Sequence, residues 1–280
     1  MRTSGNIRSP LSGGGSPDDP DRYAALGARL WEAARAVRPL DPVREVLGDD
    51  PAAAYAVQGH LNQHRRALGA RPVGHKVGLT SPAVQRQLGV DEPDFGVLYD
   101  DMDRSGDRLV DLGSLIAPKV EAEVAFVLGA DLDGPLDPDT VRAALDHAVP
   151  ALEIVDSRIR DWDISLTDTV ADNASSALFV LGDRRTPVGD TDFRAVRMEM
   201  YADSRPVSTG RGSDCLGDPL AAVRWLAATH QRLGSALRRG DVVLSGALGP
   251  MVPVTAPGTY RARVSGLGEV DVRFEGGEAR

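Results

Sequence analysis

Apolar residues recur at helical spacing in the first quarter of the chain and at strand spacing after it. Tyr23, Leu26, Leu30, Ala33 and Val37 fall at three- and four-residue steps, which predicts an amphipathic helix. A second helix is predicted after Asp50, where Pro51 suits a first turn, running through Tyr55, Val57, Leu61 and Leu68. From Val73 the pattern changes. VGHKVGL reads as a strand leading to a helix start at Ser81-Pro82, and SPAVQRQLGV as a short helix closed by Gly89. KVEAEVAFVLG alternates cleanly, VPALEIVDSR is a short apolar run, and ASSALFVLG reads as a buried strand. Pro138 to Ala148 and Pro219 to Leu233 are predicted helical. Strands are predicted around Val196 to Tyr201 and at DVVLSG, and RARVSGLG with EVDVRFE reads as a hairpin turning through Gly266 and Gly268.

These elements lack regular βαβ alternation. They predict an α+β fold with a mixed, mostly antiparallel β-rich core and flanking helices. Residues 1–20 are rich in Ser, Gly and Pro with little to bury, and read as a disordered leader. Residues 21–70 then form a helical segment packed on the core, and residues 71–280 a β-rich domain that carries the chemistry.

Composition narrows the function. In 280 residues, 32 Lys and Arg against 41 Asp and Glu leave a net charge of −9, with no basic surplus to meet a phosphate backbone. A nucleic-acid binder is therefore not expected. The longest uncharged stretch, Val242 to Tyr260, is broken by Pro250, Pro253 and Pro257, so no membrane span is expected. The start of the chain lacks a secretory pattern, and the expected location is the cytoplasm. The single cysteine, Cys215, excludes a disulfide framework or a Cys-based metal cage.

Glu121 and Glu123 stand two apart on the alternating KVEAEVAFVLG segment, so both point to one face while Val120, Ala122 and Val124 take the other. Their Cα atoms are then about 6.8 Å apart. Two ionised carboxylates at about 6 Å repel by roughly 3 kcal/mol at an effective dielectric of 20. Either the face is solvated, or a proton, a cation or a metal offsets that repulsion. Glu153 sits among Leu152, Ile154 and Val155, where an unpartnered carboxylate is costly. Three glutamates on apolar strands could form an all-oxygen site of the kind that suits Mg²⁺ or Mn²⁺.

Lys76, in GHKVGLTS, either snorkels to solvent or presents an ammonium to a substrate or a proton transfer. Gly74 and Gly78 beside it would allow close backbone approach to a ligand. Asp94, between Pro93 and Phe95, is either a turn cap or a carboxylate whose pKa the apolar neighbour raises. His60 and His64, four apart on a predicted helix, read as packing residues rather than metal ligands. No nucleophile motif is present: Ser245 lacks the G-x-S-x-G elbow and Cys215 has no nearby His.

Taken together, GHKVGLTSPAVQRQLGVDEPDFGVLYDDM, PKVEAEVAFVL and PALEIVDSRIRDWDISLTDTVADNASSALFVLG resemble the 2-keto-4-pentenoate hydratases, in the hydratase and decarboxylase branch of the fumarylacetoacetate hydrolase superfamily. The likeness runs from about Pro51 to Phe274. It implies a Mg²⁺ or Mn²⁺ ion on Glu121, Glu123 and Glu153, proton transfer by Lys76 and Asp94, and substrate contacts from Ser175, Asn173 and Leu79, with Asp172 also lining the site. The implied reaction adds water to 2-hydroxypenta-2,4-dienoate or a substituted analogue to give a 4-hydroxy-2-oxo acid, late in the breakdown of aromatic compounds. The related 4-oxalocrotonate decarboxylases are the alternative, but SPAVQRQLG and EPDFG favour the hydratase. A carbon–carbon hydrolase is disfavoured because Glu153 stands where those enzymes carry Asp. A non-catalytic partner subunit is disfavoured because every expected acid and the lysine are present. The resemblance also implies a homo-oligomer, with a related decarboxylase or a downstream aldolase as possible partners.

Overall fold

The computed structural model describes residues 20–81, 85–86 and 90–277. The leader, Pro20 apart, and most of the helix expected after Ser81, including Gly89, lie outside them. Helix α1 (Pro20–Ala36) buries Leu26, Leu30 and Ala33, and α3 (Pro51–Ala67) buries Ala54, Val57 and Leu61, as their spacing predicts. Asp50 caps α3 by accepting from Ala52 N and Ala53 N, with Pro51 in the first turn. A short helix α2 (Arg44–Leu47) lies between them. These helices share one apolar cluster with Ile159, Val170 and Ala171. His64 stacks on Trp31 at 6.3 Å, so it is a packing residue.

The β-structure forms two sheets. The larger orders β2 (Asp94–Tyr99), β1 (Pro72–Gly78), β10 (Val242–Leu244), β4 (Lys119–Leu128), β5 (Leu145–Val155) and β6 (Ser176–Leu181). The short strands β11 (Val252–Pro253) and β7 (Thr186–Pro187) add to β4 and β5. The smaller sheet orders β3 (Leu109–Asp111), β13 (Gly268–Glu275), β12 (Gly258–Val264), β8 (Arg197–Ala202) and β9 (Arg205–Arg211). All pairings are antiparallel except β1 with β10 and β13 with β3. One face of the larger sheet, with Val77, Val120, Ala122, Val124, Phe126, Leu152 and Ile154, packs into the main core with Val264, Val270, Val272 and Phe274 of the smaller sheet.

The helix expected to reach Ala148 stops earlier. Helix α4 (Pro138–Ala143) ends as the chain enters β5 at Leu145, because Ala148 and Val149 pair with Phe126 and Ala125 of β4. Ladder hydrogen bonds and burial override the local helical pattern there. Helix α5 (Leu166–Ala171) and helix α6 (Pro219–Arg232) complete the fold. Asp168 of α5 ties the N-terminal helices to the sheet domain. Its carboxylate accepts from Val43 N at 2.7 Å and Arg44 N at 2.9 Å, and pairs with the Arg44 guanidinium at 2.8 Å.

Candidate active site

Register decides which side chains meet. Glu121 lies opposite Glu153, and Glu123 opposite Ala151. Leu244 pairs with both Ala125 and Lys76, and Gly78 lies opposite Asp94. Paired residues share a face, and alternation returns every second residue to it. Glu121, Glu123, Glu153, Lys76 and Asp94 therefore stand on one face of the larger sheet, opposite the core.

One carboxylate oxygen from each of Glu121, Glu123 and Glu153 lies within 4.8 Å of the others. Among the described residues this is the one cluster of three such groups. Glu123 is fully buried, and its Oε2 accepts from Gly246 N at 2.7 Å while Oε1 has no partner. Gly246 has φ +103°, and a Cβ there would lie 2.4 Å from Thr80 Oγ1, so glycine is required to aim this donor. Glu153, also fully buried, meets Lys76 Nζ at 3.2 Å as an ion pair without a well-directed hydrogen bond. Lys76 Nζ also donates to Ala174 O at 3.0 Å. Both Asp94 oxygens are buried and lack hydrogen-bond partners. Glycine at residue 78 leaves room for the Asp94 carboxylate, since a Cβ there would crowd Oδ1 where it now lies.

This crowding sets the protonation states. Burial pushes the Asp94 carboxyl up to about 6, with Lys76 opposing and Glu153 reinforcing the rise. Glu121 is pushed up to about 7 by burial against the pull of Lys76, and Glu123 well above its usual range by burial and then by Glu153 and Glu121. Burial alone would lower the Lys76 ammonium, but the surrounding carboxylates, Glu153 foremost, hold it above the ordinary lysine range. Four acids around one lysine leave a deficit of positive charge. A divalent cation would offset most of it.

The site opens into a cavity of about 860 Å³ whose wall includes Lys76, Asp94, Glu121, Leu79, Ser175 and Trp162. Ser175 Oγ is buried and unpartnered. Asn173, Ala174 and Ser175 have φ of 54°, 52° and 54°, a left-handed turn that delivers Ala174 O to Lys76 and Ser175 to the cavity. Two residues expected to line the site serve this turn instead. Asn173 Oδ1 accepts from Val97 N at 2.9 Å and its Nδ2 donates to Val97 O at 3.0 Å, which clamps the turn to β2. Asp172 is fully buried against Arg158, whose Nε donates to Oδ1 at 2.5 Å and whose Nη2 donates to Asp172 O. Arg158 Nη1 also donates to Asp156 O at 2.8 Å and Ser176 O at 3.1 Å. Removing one partner of such a buried pair leaves an uncompensated charge. Arg158→Met should cost about 3–5 kcal/mol of stability, read as a lower denaturation midpoint in urea. An unchanged midpoint would contradict the anchoring role.

Lys119, Trp162 and Gly246 also belong to the site, although no motif marks them. Lys119 carries a legible signal, because K-x-E-x-E alternation places it on the face of Glu121 and Glu123. Trp162 and Gly246 reach the site only through loop paths that no local pattern encodes.

The chain is similar to known proteins over most of its length. The family described as fumarylacetoacetate (FAA) hydrolase C-terminal matches residues 104–275. A 2-keto-4-pentenoate hydratase of Burkholderia vietnamiensis is 52% identical over 91% of this chain and 98% of that protein. A 2-hydroxyhexa-2,4-dienoate hydratase of Comamonas testosteroni is 41% identical over 89% of this chain and 96% of its own length. In structure, 4-oxalocrotonate decarboxylase from Pseudomonas putida G7, complexed with magnesium and adipate, superposes with a TM-score of 0.88 at 33% identity, covering 92% of this chain and 98% of that one. The chain belongs to the fumarylacetoacetate hydrolase family, among its 2-keto-4-pentenoate hydratases.

Proposed function

We propose that this protein is a metal-dependent hydratase, adding water to 2-hydroxypenta-2,4-dienoate or a substituted analogue to give a 4-hydroxy-2-oxo acid. The observation that carries this reading is a cluster of three glutamates that meets a lysine and an unpartnered aspartate, and that reaches one cavity through Glu121, Lys76 and Asp94. The hydratase relatives supply the reaction class. Glu121, Glu123 and Glu153 would hold Mg²⁺ or Mn²⁺, since converging carboxylate oxygens, buried and orphaned at Glu123 and Glu153, are the hard donors these ions take. When bound, the ion supplies Lewis-acid stabilisation of enolate charge at the 2-oxo acid end of the substrate.

The chain's own groups move protons. The dienol first ketonises: the C2 hydroxyl loses its proton and C5 gains one, leaving a 3-enoate conjugated with the C2 ketone. Water then adds its oxygen to C4 while C3 takes a proton. Asp94, with its pKa near 6, can accept and return a proton near neutral pH. Lys76, held as an ammonium, steadies the developing negative charge and orders the acids around it. The unpartnered Ser175 hydroxyl is placed to bond the substrate or the added water, and Leu79 bounds its path.

A panel of 2-hydroxydienoates and 4-oxalocrotonate, with products identified by mass, tests this reading. A gain of one water on the dienoates is expected. Loss of CO₂ from 4-oxalocrotonate, with the dienoates untouched, would instead assign the decarboxylase reaction of the structural neighbour. We also place the active form as a homo-oligomer, in keeping with the apolar Leu68 and Leu233, which are 70% and 65% exposed. Light scattering at micromolar concentration should give a multiple of 29.7 kDa, and a monomer mass would contradict it.

A further inference from the structure

One ammonium in the cavity wall is held by no direct ion pair, and the carboxylate that acts on it is Glu121, two residues along the strand. Lys119 opens β4 two residues before Glu121, so alternation turns it to the same face, roughly 7 Å along the strand. Its Nζ lies 3.8 Å from the centroid of the Trp162 ring, and among the described residues it has no ion-pair partner. Lys76, by contrast, is committed to Glu153 and to Ala174 O. Arg86, which also lines the cavity, is exposed.

The Trp162 platform is built rather than incidental. Asp161 and Trp162 have φ of 57° and 56°, consecutive left-handed residues that ordinarily cost about 1–2 kcal/mol each. The indole Nε1 donates to Ala117 O at 2.8 Å, and Ala117 N is held in turn by Asp156 Oδ1 at 2.7 Å. A ring face attracts a cation but leaves its N–H donors unspent, so this lysine is steered without being satisfied. Strained backbone that presents such a group is characteristic of ligand-binding positions.

Charge balance says what the ligand is. Three glutamates and Asp94 are not outweighed by Lys76 and a divalent ion, so an incoming carboxylate needs a further cation beside Glu121. We propose that Lys119, braced on Trp162, binds the C1 carboxylate of the 2-hydroxydienoate and thereby fixes which end of the substrate faces the glutamates. The assignment rests on the hydratase reading for its substrate class. It adds the residue that recognises the acid group shared by every member of that class.

Calorimetry on the Mg²⁺-loaded protein tests it without turnover, with 2-oxopentanoate and its methyl ester as probes. Lys119→Met keeps an apolar stem over Trp162 and removes the charge. It should weaken the acid about 10–100-fold, as loss of a charged hydrogen bond does, and the ester less than about threefold on the same reasoning. Lys119→Arg should restore most of the affinity for the acid. Equal losses for acid and ester would overturn the proposal, because a merely structural lysine does not discriminate between them. So would an unchanged affinity for 2-oxopentanoate beside a loss confined to the dicarboxylate 2-oxoadipate, which would place Lys119 at the far end of the ligand. Retained acid–ester discrimination in a protein that fails to hydrate any dienoate would leave this assignment standing and sink the proposed reaction instead.

Discussion

Glu123→Gln is expected to abolish metal binding and to lower turnover by about 10³-fold or more, the scale of losing a preorganised electrostatic stabiliser of the transition state. Glu123 is the right position to change. Its Oε2 accepts from Gly246 N, a bond that a glutamine oxygen can keep, while its Oε1 has no partner. Burial already disfavours its charged form, so glutamine should leave the metal-free fold as stable as before or more so. Thermal melts separate the two effects. The wild-type midpoint should rise with Mg²⁺, by about 2.7 kcal/mol of stabilisation at a hundred times the dissociation constant, and the variant should not respond. A variant that still gains stability from Mg²⁺ would remove Glu123 from the ligand set. Glu153 is a poorer choice, because its loss would also strip Lys76 of an ion pair.

Lys76→Met and Asp94→Asn carry the second large effect. Each should lower kcat by about 10²–10⁴-fold, the usual contribution of a positioned acid or base. Neither is in the ligand set, so Mg²⁺ should still raise the melting midpoint of both variants. Asp94→Asn removes a buried carboxylate whose oxygens have no hydrogen-bond partners, and its fold should survive. If Lys76→Met keeps a near-normal kcat and only raises KM, the lysine binds substrate and does no proton or charge work. The same pattern in Asp94→Asn would assign the base role to another group.

Much of this site was legible in the sequence, and the reasons are physical. Alternation alone places Glu121 and Glu123 on one face, and the apolar neighbours of Glu153 mark it as a buried acid that needs a partner. Register is different. That Glu153 stands opposite Glu121, and that Lys76 reaches the same face through Leu244 and Ala125, depends on long-range pairing that no local pattern specifies. The D-N-A-S segment shows the limit most clearly. Its four residues are alike in sequence promise, yet the left-handed turn sends Ser175 to the cavity, Asn173 to β2 and Asp172 to Arg158. The mixed, mostly antiparallel fold was foreseeable, but its division into two sheets was not. Strand β9, RPVSTGR, carries little apolar alternation, and it forms because β8 offers a partner edge. Helix α4 ends earlier than its local pattern predicts for the related reason that β4 draws the following residues into pairing.

The most direct test of a metal-dependent hydratase is the rate at which exhaustively chelated protein consumes 2-hydroxypenta-2,4-dienoate, before and after Mg²⁺ is returned, with the product weighed by mass spectrometry. Negligible consumption without metal, and restored formation of 4-hydroxy-2-oxopentanoate with it, is the expected result. Undiminished hydration by the metal-free protein would contradict the role given to Glu121, Glu123 and Glu153.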